Sequence, residues 1–195
     1  NIPAATQLFT PDWIVRYMVE NTLGKIWVEG HPDSTIKEKW IYYVDDPKQE
    51  DSVQGKLSKI YAEYSTIDPK DLKCIDPCMG SGHILVYMFD VLVQIYGDFG
   101  YSVRDAVQLI VRNNIYGLDL DGRAAQLAYF AVMMKARQYD RRFFERGVQP
   151  QIYAIQESNE LSTEVFDYIV KGDEKLRNEL QKVVDSFKDA KEYGS

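Results

Sequence analysis

Length, composition and charge are those of a single globular domain of ordinary size. The chain has 195 residues, 45% hydrophobic and 27% charged, and its 23 basic and 30 acidic side chains give a net charge of −7. This composition excludes a disordered tail or a fibrous repeat. Because no apolar run approaches the roughly 20 residues of a membrane span, we expect a cytoplasmic protein with no membrane partner. The acidic excess argues against a module that grips phosphates with a basic face.

The two ends of the sequence and its cysteines indicate what kind of chain this is. The sequence starts at Asn1 with neither a methionine nor a signal-peptide pattern, and it stops at Ser195 just past a helical pattern. We therefore expect a piece of a longer protein. Two cysteines, Cys74 and Cys78, are too few for a disulfide scaffold, and with only two histidines a metal site is not expected. We interpret both cysteines as buried, reduced thiols.

Residues 1–70 predict an N-terminal helical segment. Thr10 is a potential N-cap, and apolar residues at helical spacing predict one helix over about 11–27. The polar, irregular stretch that follows contains an aromatic patch over 40–44, which predicts either a short strand or a plug over apolar surface. A short amphipathic helix over 57–64 completes this segment.

From residue 71 onwards, predicted strands alternate with predicted helices. The strands are expected over 73–76, 115–119 and 151–155, and the helices over 85–97, 103–114, 122–146 and 176–187. This alternation favours a parallel sheet covered by helices, and right-handed crossovers would place its three strands side by side. So small a sheet is incomplete, and its exposed edge predicts self-association.

The strongest chemical signal is the turn over 76–82, Asp-Pro-Cys-Met-Gly-Ser-Gly, between the first strand and the next helix. Gly80 and Gly82 permit backbone conformations and close approaches that a Cβ would forbid. Open parallel sheets bind ligands at such turns, beyond the carboxyl ends of the strands. Asp76 can accept hydrogen bonds from a ligand's ammonium group or from the turn's own amides. The glycines alone favour a turn that merely joins strand to helix.

A second acid, Asp119, ends the next strand. A carboxylate in this position can accept both hydroxyls of a ribose, with Leu120 against a purine ring. The alternative is an acid that caps the following helix, which is the role we expect for Asp121. Together the turn and Asp119 favour a cofactor that carries a nucleoside.

A dinucleotide is disfavoured as that cofactor. The pyrophosphate fingerprint G-x-G-x-x-G requires a third glycine where this chain has Leu85. Asp76 would repel a pyrophosphate and attract a cationic sulfonium amino acid. The residues therefore favour S-adenosylmethionine over NAD.

Three segments, in this order, resemble the cofactor-site motifs of adenine-specific DNA methyltransferases. They are Thr10-Pro11, the Asp-Pro-Cys-Met-Gly-Ser-Gly-His run over 76–83, and Gly-Leu-Asp-Leu-Asp over 117–121. The likeness is strongest to the large enzymes of type II restriction–modification and to PglX methyltransferases of BREX phage defence. That group more often has Ala-Cys where this chain has Cys78-Met79. The resemblance implies an α/β fold, an incomplete Rossmann-like class I methyltransferase sheet of three parallel strands. It would occupy a partial S-adenosylmethionine-binding domain over 71–195, after the helical segment.

The resemblance also implies a role for each matching residue. Thr10 would contact the methionine end of the cofactor, and the turn would hold its amino acid moiety. Asp119 would bind the ribose and Leu120 the adenine. The turn residues expected to bind are Asp76, Pro77, Gly80, Ser81 and Gly82.

Two further positions complete the expected cofactor site. Glu157, after the third strand, is placed where the family binds the adenine amino group, the alternative being an exposed loop acid. His83 would lie in the first turn of the helix beside the cofactor, where we expect it to position rather than to act as a base.

The sequence departs from the family in its catalytic half. The family's Asn/Asp/Ser-Pro-Pro-Tyr/Phe motif accepts hydrogen bonds from the target amino group and stacks on the flipped base, but this chain contains no Pro-Pro pair. We therefore expect no catalytic residue here. The longer parent would be the DNA adenine-N6 methyltransferase, and it would reach duplex DNA through parts absent from this chain. This chain would be inactive alone.

The alternative function is a non-catalytic protein-interaction module, motivated by Trp40, Tyr42 and Tyr43.

Overall fold

The computed structural model describes residues 10–193, in which nine α-helices accompany three strands. The helices are α1 Asp12–Glu20, α2 Leu23–Gly30, α3 Asp51–Tyr64, α4 His83–Phe99, α5 Val103–Leu109, α6 Gly122–Tyr139, α7 Thr163–Val170, α8 Glu174–Ser186 and α9 Ala190–Tyr193. The strands are β1 Cys74–Asp76, β2 Ile115–Asp119 and β3 Gln151–Ala154. None of the helices in this part of the chain is long and apolar enough to cross a membrane.

The three strands form one parallel sheet in the order β1-β2-β3, which confirms the expected fold class. α4 and α6 pack on the sheet and on each other. Asp76 pairs with Gly117, and Asp119 pairs with Ala154. Because the strands are parallel, both acids end their strands at the same edge of the sheet.

The N-terminal helices share one apolar core with the sheet region. Val19, Leu23 and Trp27 belong to the same buried cluster as Leu85 and Ile115. Burial of these side chains supplies most of the attraction that holds α1 and α2 on α4, at about 25 cal/mol per Å² of apolar surface.

A buried carboxylate adds directional contacts to this packing. Glu20, 1% exposed, accepts a hydrogen bond from the Tyr87 hydroxyl of α4 at 2.6 Å. Its other oxygen accepts from the backbone N–H of Tyr42 at 2.7 Å. Glu20 therefore ties α1, α4 and the aromatic patch together.

The single helix expected over 11–27 is wrong, because the chain forms α1 and α2 with a break at Asn21. The Asn21 side chain donates to the Tyr42 carbonyl at 2.7 Å and accepts from the Val44 N–H at 2.9 Å. These contacts hold the aromatic patch against the break. The expected N-cap is also wrong, since α1 is preceded by Pro11 with no side-chain capping bond.

The aromatic patch over 40–44 is a plug and not a strand. Trp40 is 5% exposed, its ring lies against Gly24 of α2, and its Nε1 donates to Gln94 Oε1 at 3.1 Å. Ile41 is 79% exposed beside it. Because Trp40 is part of the core, the patch offers less aromatic surface to a partner than its sequence indicates.

Three helix boundaries differ from expectation. α5 ends at Leu109 and continues as a π-helical turn over Ile110–Asn114. α6 ends at Tyr139, because the next residue, Asp140, accepts from Arg142 N at 3.1 Å and from Arg146 Nε at 2.6 Å. α3 begins at Asp51, earlier than the periodicity predicts.

Candidate functional site

A cleft of about 490 Å³ opens at the carboxyl edge of the sheet. The turn after β1, Thr10 two residues before α1, and the N-terminal parts of α4 and α6 form its walls. Its volume lies within the range of about 300–1,000 Å³ that small-molecule sites occupy. The lining residues are Thr10, Asp76, Cys78, Met79, Gly80, Ser81, His83, Ile84, Asp121, Arg123, Ala124 and Leu127.

The glycine turn and the second acid meet at hydrogen-bond distance. The Gly80 N–H donates to Asp119 Oδ2 at 2.8 Å, and the Met79 N–H donates to the Leu118 carbonyl at 3.0 Å. The other Asp119 oxygen accepts from the Asp121 N–H at 2.9 Å. The turn after β1 is therefore fixed to the end of β2.

Two positions in this turn favour glycine for different reasons. Gly80 has φ +52° with open space around it, so the backbone conformation alone favours glycine there. Gly82 has φ +81°, and a Cβ built on it would lie 2.9 Å from the Ala128 Cβ. Gly82 thus lets the start of α4 lie directly on α6.

Asp76 presents an unsatisfied acceptor at the cleft wall. The residue is 8% exposed, and its Oδ1 accepts from the Cys78 N–H at 3.2 Å. Its Oδ2 is buried and finds no hydrogen-bond partner among the described residues. Burial raises the pKa of the Asp76 carboxyl, the Cys78 N–H opposes that rise, and the nearby Asp119 charge adds to it. Asp76 therefore lines the cleft with one carboxylate oxygen unsatisfied.

On the α1 side, His83 lines the cleft and begins a series of charged and aromatic contacts between α1 and α4. Asp12 Oδ1 lies 4.0 Å from His83 Nε2, and Asp12 also pairs with Arg16 at 2.6 Å. The Arg16 guanidinium lies 5.1 Å from the centroid of the Tyr87 ring. This arrangement holds the start of α1, and with it Thr10, against the start of α4.

On the α6 side, Asp121 is the helix N-cap, as expected, and accepts from the Arg123 N–H at 2.9 Å. The Arg123 side chain is 93% exposed and Leu127 is 51% exposed at the cleft. The sequence analysis did not place Arg123, Ala124 or Leu127 at the cofactor site. The available signal was topological, since a helix that follows β2 begins at the ligand-binding edge of the sheet.

Half of the ten sequence-predicted cofactor residues line the cleft, namely Thr10, Asp76, Gly80, Ser81 and His83. Of the others, Gly82 and Pro77 belong to the turn after β1, and Asp119 contacts that turn by accepting a hydrogen bond from the Gly80 N–H. Leu120 is 39% exposed next to Asp119. Glu157 is exposed beyond β3, where its Oε1 accepts from the Lys191 N–H at 3.2 Å. The cofactor roles of all ten residues stay predictions.

The two cysteines differ in exposure. Cys78 is exposed at the cleft, so its expected burial is wrong, because the turn carries its side chain out of the sheet. Cys74 is half-buried in β1, and burial raises the pKa of its thiol to about 11. Within residues 10–193, no group of three or more His, Cys, Asp or Glu side chains could hold a metal ion.

Comparison with known proteins identifies relatives that match most or all of the chain. It is 51% identical over 158 residues to the adenine-specific methyltransferase BrxX of Escherichia coli O9:H4 (strain HS), covering 81% of this chain and 13% of that relative. It is 42% identical over 205 residues to the adenine-specific methyltransferase PglX of Lacticaseibacillus casei (strain Zhang), covering 100% of this chain and 16% of that relative. No family model matches the chain.

A third relative, from Methanocaldococcus jannaschii, carries a provisional name as a type II restriction enzyme and methyltransferase. It is 30% identical over 133 residues, covering 62% of this chain and 11% of that relative. The resemblance to adenine-specific methyltransferases is confirmed, and the chain spans only 11% to 16% of the length of these three relatives.

Proposed function

We propose that this chain is the S-adenosylmethionine-binding part of a DNA adenine-N6 methyltransferase of a BREX or restriction–modification system. Its relatives are named adenine-specific methyltransferases, a class that requires a methyl donor. One structural observation carries the choice of donor. The buried Asp76 Oδ2 lacks a partner among the described residues, and it belongs to a turn that is hydrogen-bonded to Asp119.

In this proposal, Asp76 accepts from the ammonium group of the cofactor's amino acid end. A charge-assisted hydrogen bond of this kind is roughly twice as strong as a neutral one. Thr10 and Ser81 line the same cleft, and their hydroxyls would donate to the cofactor's carboxylate. A dinucleotide would place its anionic pyrophosphate at this turn, where the Asp76 carboxylate would repel it.

Asp119 would bind the ribose while keeping its present contacts. Each of its oxygens accepts one backbone N–H, from Gly80 and from Asp121. A carboxylate has about four acceptor positions, so two remain for the ribose hydroxyls. Leu120 would contact the purine ring, and Glu157 would accept from the adenine amino group at the end of β3.

The chemistry would be divided between this chain and the rest of its parent. The cofactor supplies a methyl group on a positively charged sulfur, which an amine can attack in line. Residues of this chain would bind and orient that cofactor, with His83 in a positioning role. The parent would hold duplex DNA and supply the Pro-Pro motif, so this chain alone would not methylate DNA. A parent that modifies cellular DNA would act in the cytoplasm.

Titration calorimetry with S-adenosylmethionine tests the cofactor assignment. We expect Asp119→Ala and Gly80→Val each to weaken binding at least tenfold, the first by removing the ribose acceptor and the second by straining the turn. Gly55→Val is the matched control for the second variant, because Gly55 lies in α3 with open space around it. Unchanged affinity in both Asp119→Ala and Gly80→Val would defeat the assignment.

A methylation assay tests the division of labour. The full-length parent, incubated with duplex DNA and S-adenosylmethionine, should form N6-methyladenine detectable by nucleoside mass spectrometry, and the chain alone should form none. Methylation by the chain alone, or methylation of cytosine by the parent, would contradict the proposal.

A further inference from the structure

Cys78 places a thiol on the wall of the cleft. Its side chain is exposed and lines the cleft, and its backbone N–H donates to Asp76 Oδ1 at 3.2 Å. Asp76 itself is 8% exposed, and its Oδ2 lacks a partner among the described residues. Asp76, with its unsatisfied acceptor, and Cys78, with its accessible thiol, therefore line the same cleft.

We propose that Cys78 is a modification site that controls access to the cleft: a small group attached to its Sγ excludes the cofactor. Which cofactor is excluded rests on the proposed function. The group shares a volume of about 490 Å³ with any ligand, so a ligand that reaches Asp76 competes with it for space.

A low-molecular-weight disulfide is the co-reactant for a reversible modification. The Cys78 thiol loses its proton to solvent, and the thiolate attacks one sulfur of the disulfide. A new S–S bond forms as the old one breaks, and the leaving thiolate takes a proton from solvent. A second thiol reverses the exchange and reopens the cleft.

The chain contains its own reference thiol. Cys74 lies in β1, half-buried, with the pKa of its thiol raised to about 11 by burial. Since the thiolate is the nucleophile, Cys74 reacts slowly at neutral pH. Modification is therefore selective for Cys78.

An uncharged reagent is the appropriate probe, because Asp76 and Asp121 both line the cleft and repel anions. We would treat the chain with N-ethylmaleimide at pH 7.5, with and without excess S-adenosylmethionine, and follow both cysteines by peptide mass spectrometry. We expect Cys78 to be labelled at least tenfold faster than Cys74, and the cofactor to slow labelling of Cys78 at least tenfold.

Calorimetry on the labelled protein tests the consequence. Labelled chain should bind S-adenosylmethionine at least tenfold more weakly than unlabelled chain, and Cys74→Ala should behave like the wild type. In Cys78→Ala, affinity after treatment should equal affinity before it. Replacing the maleimide with hydroxyethyl disulfide should give the same loss, and dithiothreitol should restore binding.

The outcomes separate this inference from the proposed function. Equal labelling rates for Cys78 and Cys74 in the ligand-free chain overturn the modification site, whatever the ligand is. Fast labelling of Cys78 that leaves cofactor affinity intact overturns its control of the cleft. Absence of S-adenosylmethionine binding to the unlabelled chain refutes the proposed function instead, and with it the identity of the excluded cofactor.

Discussion

Replacing Asp76 by Asn should stabilise the ligand-free chain while weakening cofactor binding. The carboxyl is 8% exposed, and burial raises its pKa above the value it has in the unfolded chain. Because the pKa is higher in the folded chain, folding favours the protonated carboxyl. The contribution of Asp76 to the free energy of unfolding is therefore present at low pH and is lost as the pH rises through the pKa of the folded chain. At pH 7 the ionised carboxylate therefore lowers the free energy of unfolding.

The two effects have different sizes. A buried acceptor without a partner costs more when it is charged than when it is neutral, so removing the charge should raise the free energy of unfolding by about 1 kcal/mol at pH 7. Loss of a hydrogen bond to an ammonium group costs about 2 kcal/mol. At about 1.4 kcal/mol for each factor of ten, binding of S-adenosylmethionine should weaken about 30-fold.

Urea unfolding followed by circular dichroism, and titration calorimetry, measure the two effects. The stability difference between Asp76→Asn and the wild type should shrink as pH falls and Asp76 becomes protonated. Asp119→Asn is the matched control, because both Asp119 oxygens accept backbone N–H groups. Losing one of these contacts should lower its stability by about 1 kcal/mol. An Asp76→Asn variant that is less stable than the wild type at pH 7, or that binds the cofactor equally well, would refute the reasoning.

Three further substitutions test the packing of the helices and the exposed edge of the sheet. Gly82→Ala combines a positive φ with a Cβ 2.9 Å from that of Ala128, and should lower the free energy of unfolding by about 2 kcal/mol in urea titrations. Glu20→Ala removes the buried acceptor of the Tyr87 hydroxyl and should cost about 3 kcal/mol by the same measurement. Tyr153→Lys places a charge on the strand β3, and should shift any self-association through that edge toward monomer in sedimentation velocity.

Each substitution has a control or a contradicting result. Gly100 also has a positive φ, +106°, but there is open space where a Cβ would lie. Gly100→Ala should therefore lower the free energy of unfolding less than Gly82→Ala does. An equal loss would show that the contact with Ala128 does not contribute. Glu20→Gln keeps an acceptor and should recover part of the loss. A chain that sediments as a monomer at all concentrations would contradict self-association.

The strands and their shared edge were predictable because their signals are local. Short apolar runs ending in Asp76 and Asp119 predict parallel strands, and parallel strands end at one edge. The capping role of Asp121 follows from its position before Gly122. The bond from Gly80 to Asp119 was not predictable, since it depends on the register between β1 and β2.

The missed features depend on contacts distant in sequence. The break between α1 and α2 is fixed by bonds from Asn21 to Tyr42 and Val44, which helical periodicity does not report. The same holds for Glu20, whose burial requires partners from two other segments. The exposure of Cys78 depends on the direction in which the turn leaves β1, and the sequence around Cys78 does not indicate that direction.

A crystal structure of the chain with S-adenosylhomocysteine tests the central claim most directly. This ligand keeps the amino acid end and the adenosine but has no methyl group to transfer. We expect its amino nitrogen at about 2.8 Å from Asp76 Oδ2 and its ribose hydroxyls at hydrogen-bond distance from Asp119. A ligand bound outside the cleft, or bound within it with Asp76 Oδ2 still unpartnered, would contradict the account.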